Sequence, residues 1–418
     1  MGLKKIAYDI VKQNEAVRKL ARSVSAKKQV NQYKKVAKDV LINEKQVYFV
    51  AFDGRNYGDS PKAIYKKMIA MEEFKDFSFV WAFNEPEKYS WLEDNINTKI
   101  VKRNTKEEDV AIASSKYWIT NFKLLDKYVP TEEQIYVQCW HGTPLKKLGY
   151  DLEKSDNVMN SIEEIRDKYK TDAHRFTYLL SPSKFTTEKF ATAWNLKEFG
   201  REDALLEEGY PRNDILSNAT EKEVDEIKEK LKLDQLDGKK IILYAPTWRD
   251  NQHESGVGYT YKTEVDFDKL RAELGDEYVI LFRAHYLVAN SFDFEKYEGF
   301  VYDVSKYDDI NHLYLAADVL ITDYSSVFFD YAILEKPMVF YMYDLEEYRD
   351  NLRGFYIGLD ELPGSIVETE QALVDELKMI DEKYNYDKLK DFNKIYNNLS
   401  DGCAAERVIK KVFSLLDI

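Results

Sequence analysis

Residues 239–248 read KKIILYAPTW. Two lysines lead into Ile-Ile-Leu-Tyr-Ala, and Pro246 stops the run. A strand with one face in water alternates apolar and polar residues, and this one does not. A short apolar run without alternation, closed by proline, reads as a strand buried on both faces of a parallel sheet. The same reading fits EYVILFRAH (277–285), GFVYDVS (299–305), DVLITDYS (318–325) and PMVFYMYD (337–344). An earlier series does likewise: QVYFVAF (46–52), FSFVWAF (77–83), KYWITN (116–121), IYVQCW (135–140) and FTYLLSPS (176–183). Amphipathic or charged segments separate the runs, the alternation of an α/β protein with helix-covered sheets. Between the two series, ATEKEVDEIKEKLKLDQLDG (219–238) predicts a charged helix ending in Asp-Gly. The expected organisation is therefore an arm over 1–45, one doubly wound domain over 46–235, a second over 236–400, and a C-terminal helix over 401–418 that begins near Asp401. Ligands of such sheets bind at the carboxyl ends of the strands, so a cleft between the two domains is expected to hold the site.

Bulk composition narrows the function. The chain has 418 residues, a net charge of −14 and 31 tyrosines. No apolar run approaches the roughly 18–20 residues that span a bilayer, and no signal-peptide pattern opens the chain. Two cysteines, Cys139 and Cys403, make no disulfide framework, which predicts a reducing, cytoplasmic setting. Residues 1–40 carry eleven Lys/Arg against three Asp/Glu, a balance of +8, so the remainder carries −22. So acidic a body is unsuited to a nucleic-acid backbone, and no nucleic-acid partner is expected. The arm itself shows helical spacing at Leu3, Ile6, Ala7 and Ile10, and again at Val17, Leu20, Ala21 and Val24. It reads either as a solvated helix packed on the first domain or as a helix drawn to an anionic membrane surface.

Chemistry gathers where strands end. Of five histidines, His141 and His285 close strand readings in different domains, in CWHGTP and FRAHY. Each alone reads as a hydrogen-bonded structural residue; together they suggest one ligand between two domains. His174 and His312 fall in helix-like segments and His253 in a polar loop. Gly142 lets the backbone approach a ligand. Thr143 and Pro144 predict a capped helix start whose N-terminus, with Lys146 and Lys147 nearby, would attract an anion. ITDYSSVFFDYA (321–332) predicts the same design, with Ser325 or Ser326 capping and Asp330 on the face of Ser326. Asp330 reads equally as a capping-turn acid or a hydroxyl binder. Arg212 in the tight turn GYPRND, Arg249 in YAPTWRD with Pro246 and Thr247, and Arg283 in FRAH suggest a phosphate-rich ligand. No Walker loop, no Gly-x-Gly-x-x-Gly and no Cys/His zinc pattern occurs, so neither a cofactor nor a metal is expected.

Taken together, WHGTPLKKLG, GYPRND, YAPTWRD, RAHYLV and ITDYSSVFFDYAILEKPMVFYMYDLEEYRDNLRGFY resemble the CDP-glycerol glycerophosphotransferase family of teichoic acid synthesis, over roughly residues 46–415. The resemblance implies two Rossmann-like domains of the glycosyltransferase B type. It implies transfer of glycerol phosphate from CDP-glycerol to a hydroxyl of a lipid-linked acceptor, with release of CMP, at the cytoplasmic face of the membrane. The acceptor would be an undecaprenyl-linked saccharide or a polyol-phosphate chain. CDP-ribitol is the alternative donor, and a nucleotide-sugar glycosyltransferase or an inactive nucleotide-binding scaffold are more distant alternatives. By the same resemblance, His141 and His285 are the essential histidines. The substrate site comprises His141, Gly142, Thr143, Pro144, Leu145, Arg212, Pro246, Thr247, Arg283, Ala284, His285, Ser325, Ser326 and Asp330. His141 is then the general base, with a side chain whose ordinary pKa of about 6.5 suits the task.

Overall fold

The computed structural model describes residues 27–153, 160–233, 236, 238–247, 253–254, 258–259, 265–283, 294–346 and 354–413. The described residues up to Tyr57, with Met68–Trp140 and Arg175–Tyr178, form one compact unit. Gly58–Lys67, His141–His174 and the residues from Leu179 onward form a second.

Two parallel sheets organise the chain. The first holds β1 (Asn43–Val50), β2 (Ser78–Phe83), β3 (Thr98–Lys102), β4 (Ser115–Thr120), β5 (Ile135–Gln138), β6 (Tyr178–Ser181) and β7 (Leu205–Glu207), in the order β3-β2-β1-β4-β5-β6-β7. After β8 (Lys240–Tyr244), β9 (His253–Glu254) and β10 (Gly258–Tyr259) make a small antiparallel pair. The other large sheet adds β11 (Tyr278–Phe282), β12 (Val301–Asp303), β13 (Val319–Thr322), β14 (Met338–Tyr341) and β15 (Ser365–Val367) to β8, in the order β12-β11-β8-β13-β14-β15. Both orders begin 3-2-1-4, the doubly wound Rossmann arrangement, whose crevice opens where the winding reverses. In the second sheet that reversal lies between β8 and β13, paired in parallel from Val319↔Ile242 to Ile321↔Tyr244.

The opening stretch explains itself in this setting. Ile241, Leu243 and Ala245 enter one buried cluster with Leu281, Leu320 and Phe340. Ile242 and Tyr244 enter another with Ile280, Phe282, Ile321 and Val339. Successive side chains of one strand thus feed cores on opposite faces, which is why the run cannot alternate. Burying one such side chain contributes roughly 1.5–3 kcal/mol.

Departures from the sequence reading have local causes. β1 stops at Val50, because Phe52 and Asp53 take left-handed backbone (φ 46 and 59). β3, β7 and β15 were not foreseen; the last two are three residues long. The charged helix spans Glu221–Lys230, opened by a Thr220/Glu223 capping box, and ends before Asp-Gly because Lys232 takes φ 58. The C-terminal helix is Ala404–Val412, and Asp214 accepts hydrogen bonds from the Ala404 and Ala405 amides (2.9 and 2.8 Å). His253 lies in β9 rather than in a loop.

Within the described part of the arm, residues 27–37 are helical. Its Tyr33 is buried and meets Tyr128 edge-on at 5.1 Å, while Lys27, Lys28, Lys34, Lys35 and Lys38 are exposed. The apolar stripes of residues 3–24 lie outside the described residues. Among the described residues no helix is long and apolar enough to cross a membrane.

Candidate active site

The segment after β5 departs most from expectation. No helix starts at Pro144. Instead Tyr356 donates its amide to the Leu145 carbonyl (2.8 Å) and Lys147 donates to the Gly354 carbonyl (2.9 Å), with a bridge between Lys146 and Phe355. The Leu148 amide donates to the Tyr356 hydroxyl (3.1 Å). The backbone of 145–148 therefore bonds to 354–356 and not to itself, so Thr143 caps nothing and no helix dipole stands there. Thr143, Pro144 and Leu145 are buried, Leu145 within the core cluster that contains Leu243.

His141 itself is exposed. It stands between two unusual backbone positions, Trp140 at φ 53 and Gly142 at φ 154. A Cβ on Gly142 would lie 3.4 Å from Arg212 Nη2 and 3.4 Å from Ser326 Oγ. Three positions distant in sequence thus converge beside the histidine. Both neighbouring carbonyls are held: His141 O accepts from Arg212 Nη1 (2.8 Å), and Gly142 O accepts from the Tyr210 hydroxyl (3.1 Å).

Arg212 is not presented outward from its turn. It sits in the 3-10 turn Pro211–Asn213, buried, with its guanidinium turned inward. Nη1 also donates to Asp59 Oδ2 (3.1 Å), and Nη2 donates to Asp330 Oδ2. Asp330 Oδ1 accepts from Asn213 Nδ2 (2.8 Å). Asp330 thus serves as the arginine's buried counter-ion. Burial pushes the Arg212 guanidinium toward neutrality, but Asp330 and Asp59 outweigh it and hold the group firmly charged. Ser60 Oγ accepts the Arg212 amide (3.4 Å), and the Arg212 carbonyl accepts from Asn311 Nδ2.

The reversal point of the second sheet carries the next group. After β8, the Thr247 amide donates to Asp323 Oδ1 (2.8 Å), joining Pro246–Thr247 to the turn after β13. That turn carries Ser325 and Ser326 into a five-residue helix, Val327–Tyr331; Ser326 takes the N-cap place without a side-chain capping bond. Its hydroxyl faces Gly142 instead. Arg283 follows β11, and its Nη1 donates to the carbonyls of Val304 (3.1 Å) and Tyr307 (2.8 Å). Burial lowers its pKa below the ordinary arginine range. That guanidinium ties down the loop after β12. Ala284, His285 and Arg249 lie outside the described residues.

Of the sequence-derived residues, His141, Gly142, Arg212, Ser326 and Asp330 are brought together. Asp59, Asn213, Tyr210 and Asn311 join them without having been expected. Gly-Asp-Ser-Pro at 58–61 carries a signal for Asp59, since an acid just ahead of Ser-Pro marks a helix start, and the helix Asp59–Ile69 begins there. His174 caps the end of its helix, and His312 bonds Tyr307 through Nδ1 (3.0 Å). Among the described residues no three His, Cys, Asp or Glu side chains are grouped to hold a metal ion.

An exposed histidine on a turn pinned by a buried arginine, with a serine hydroxyl at a strand-end reversal beside it, suits a hydrogen-bonding ligand with a proton to move. Known proteins share this chain's build. The teichoic acid glycerol-phosphate transferase of Staphylococcus aureus is 39% identical over 379 residues, 89% of this chain and 94% of that one. The teichoic acid poly(glycerol phosphate) polymerase of Staphylococcus epidermidis is 38% identical over 379 residues, 89% of this chain but 51% of that protein. The chain thus spans about half the length of that polymerase. A structure of the wall teichoic acid polymerase TagF, in a variant soaked with CDPG, superposes with a TM-score of 0.83 at 36% identity, over 96% of this chain and 98% of that one. The family model described as CDP-Glycerol:Poly(glycerophosphate) glycerophosphotransferase matches residues 31–414, and the chain belongs to that family.

Proposed function

We propose that this protein transfers glycerol phosphate from CDP-glycerol to a hydroxyl of a lipid-linked acceptor, releasing CMP, in teichoic acid or related polymer synthesis. The observation that carries the reading is the convergence of His141–Gly142, Arg212 and Ser326 in a chain of this family. In this reading His141 takes the proton of the acceptor hydroxyl. The freed oxygen forms a bond to the β-phosphorus, the bond from that phosphorus to the bridging oxygen breaks, and CMP leaves with the electron pair. Phosphoryl transfer asks chiefly for positioning and for charge to meet the phosphate oxygens. Ser326, Gly142 and the strand-end segment Pro246–Thr247 line the donor's place; Arg283, Ala284 and His285 complete it by resemblance. The test is CMP release measured with CDP-glycerol and a short lipid-linked acceptor, with CDP-ribitol in parallel. Turnover with CDP-glycerol is expected, and none with either donor would refute the reading.

The acceptor's lipid places the reaction at the cytoplasmic face of the membrane, and we assign the basic arm to that surface. Lys27, Lys28, Lys34 and Lys35 are exposed on a helix anchored by Tyr33, and Lys38 is exposed just after it. Each basic residue near an anionic surface contributes about 1 kcal/mol, screened over about 10 Å at 0.1 M salt. Sedimentation with anionic vesicles is expected at low salt and release at high salt. Equal binding to neutral vesicles, or none to either, would show that the lysines serve solubility alone.

A further inference from the structure

We propose that Asp59 is a positioning residue for this reaction: through Arg212 it holds the backbone on which His141 stands. The proposal rests on the glycerophosphotransfer reading and adds to it a residue that no motif singled out. His141 lies in no helix or strand, and its flanking residues take φ 53 and φ 154. Ladder bonds of regular structure therefore do not set its position. Its carbonyl is set by Arg212 Nη1 at 2.8 Å, and the same nitrogen reaches Asp59 Oδ2 at 3.1 Å. One nitrogen carries two hydrogens, so carbonyl and carboxylate together fix its plane. Asp330 fixes the other terminal nitrogen. The guanidinium is thus oriented by acids from two helices, Asp59–Ile69 and Val327–Tyr331.

Asp59 is itself held in an uncommon state. Its backbone is left-handed (φ 60), its side chain is 3% exposed, and Oδ1 accepts the Ser60 amide (2.6 Å). A left-handed aspartate is uncommon and persists where its surroundings demand it. Here the conformation lets one carboxylate serve the helix start with one oxygen and the arginine with the other. Two acids around one arginine also leave little of its charge for a ligand phosphate. The pair Asp59–Asp330 thereby turns Arg212 from a phosphate grip into a brace.

The test is steady-state CMP release by Asp59→Asn and Asp59→Ala, with Lys62→Met as a control on the same helix. Lys62 lies one turn further along that helix and pairs with Asp309 (2.6 Å). A displacement of about 1 Å at a reacting group costs on the order of 10²-fold in rate. Asp59→Ala is expected to lower kcat by about 10- to 100-fold with KM for CDP-glycerol within about twofold of wild type. Asp59→Asn, which keeps an acceptor for Nη1, is expected to recover part of the loss. Lys62→Met is expected to lower the melting temperature and leave kcat unchanged. Asp59→Ala with wild-type kcat per folded molecule, or Lys62→Met matching its loss, would overturn the positioning role. Failure of the isosteric Asp59→Asn to fold would also overturn it, making Asp59 a folding residue. An inactive wild-type protein would instead bring down the functional reading beneath it.

Discussion

His141→Ala is expected to lower the turnover of CMP release by about 10²–10⁴-fold, the usual contribution of a positioned general base. The side chain is exposed, and its removal opens no core cavity, so the melting temperature should stay within about a degree of wild type. The carbonyl that Arg212 holds belongs to the backbone and survives the substitution. Arg212, Ser326 and the Gly142 turn should therefore remain in place, and donor affinity measured by calorimetry should change little. Such a variant separates binding from chemistry: CDP-glycerol still binds, and the acceptor hydroxyl has no base. Near wild-type turnover would remove His141 from the reaction. Loss of donor binding equal to the loss of turnover would make it a binding residue instead.

Much of the fold can be read from KKIILYAPTW and its counterparts, because a strand covered on both faces cannot hide its character. Ile241 and Ile242 go to different cores, and the chain needs an apolar residue at each. Three-residue strands such as Leu205–Glu207 and Ser365–Val367 are too short to show a period. The site was legible as a set of positions and much less so as a set of roles. Thr143-Pro144 is good helix-start chemistry, yet the segment bonds to residues 354–356, a partner about two hundred positions away that no local pattern reveals. Arg212 in a Gly-Tyr-Pro-Arg turn looks exposed from composition, and only the tertiary fold supplies Asp59 and Asp330 to make its burial affordable. Asp59 itself shows only a helix start in sequence. Its partnership with Arg212, 153 residues further on, is a product of folding.

The brace around Arg212 leads to the second large effect, and here stability and activity should part company by substitution. Arg212→Ala leaves Asp59 and Asp330 facing one another, side chains 3% and 4% exposed, without the cation between them. Breaking a buried pair by removing one partner costs about 3–5 kcal/mol, because the remaining charge is uncompensated. Turnover should fall as well, since the His141 carbonyl loses its donor. The pH dependence gives the cause away. With the arginine gone, two buried acids are left without their shared cation, and the cost of burying negative charge there is greatest where both are ionised and is relieved in acid. Arg212→Ala should thus lie closest to wild type near pH 4 and furthest below it at pH 7–8. Arg212→Lys keeps the charge but not the planar fork that serves Asp59, Asp330 and the His141 carbonyl at once. It should recover much of the melting temperature and little of the turnover. Melts of both variants from pH 4.5 to 8, paired with CMP release at neutral pH, decide the matter. A pH-independent loss of stability in Arg212→Ala, or wild-type turnover in Arg212→Lys, would show that the two acids hold something other than the arginine's charge and shape.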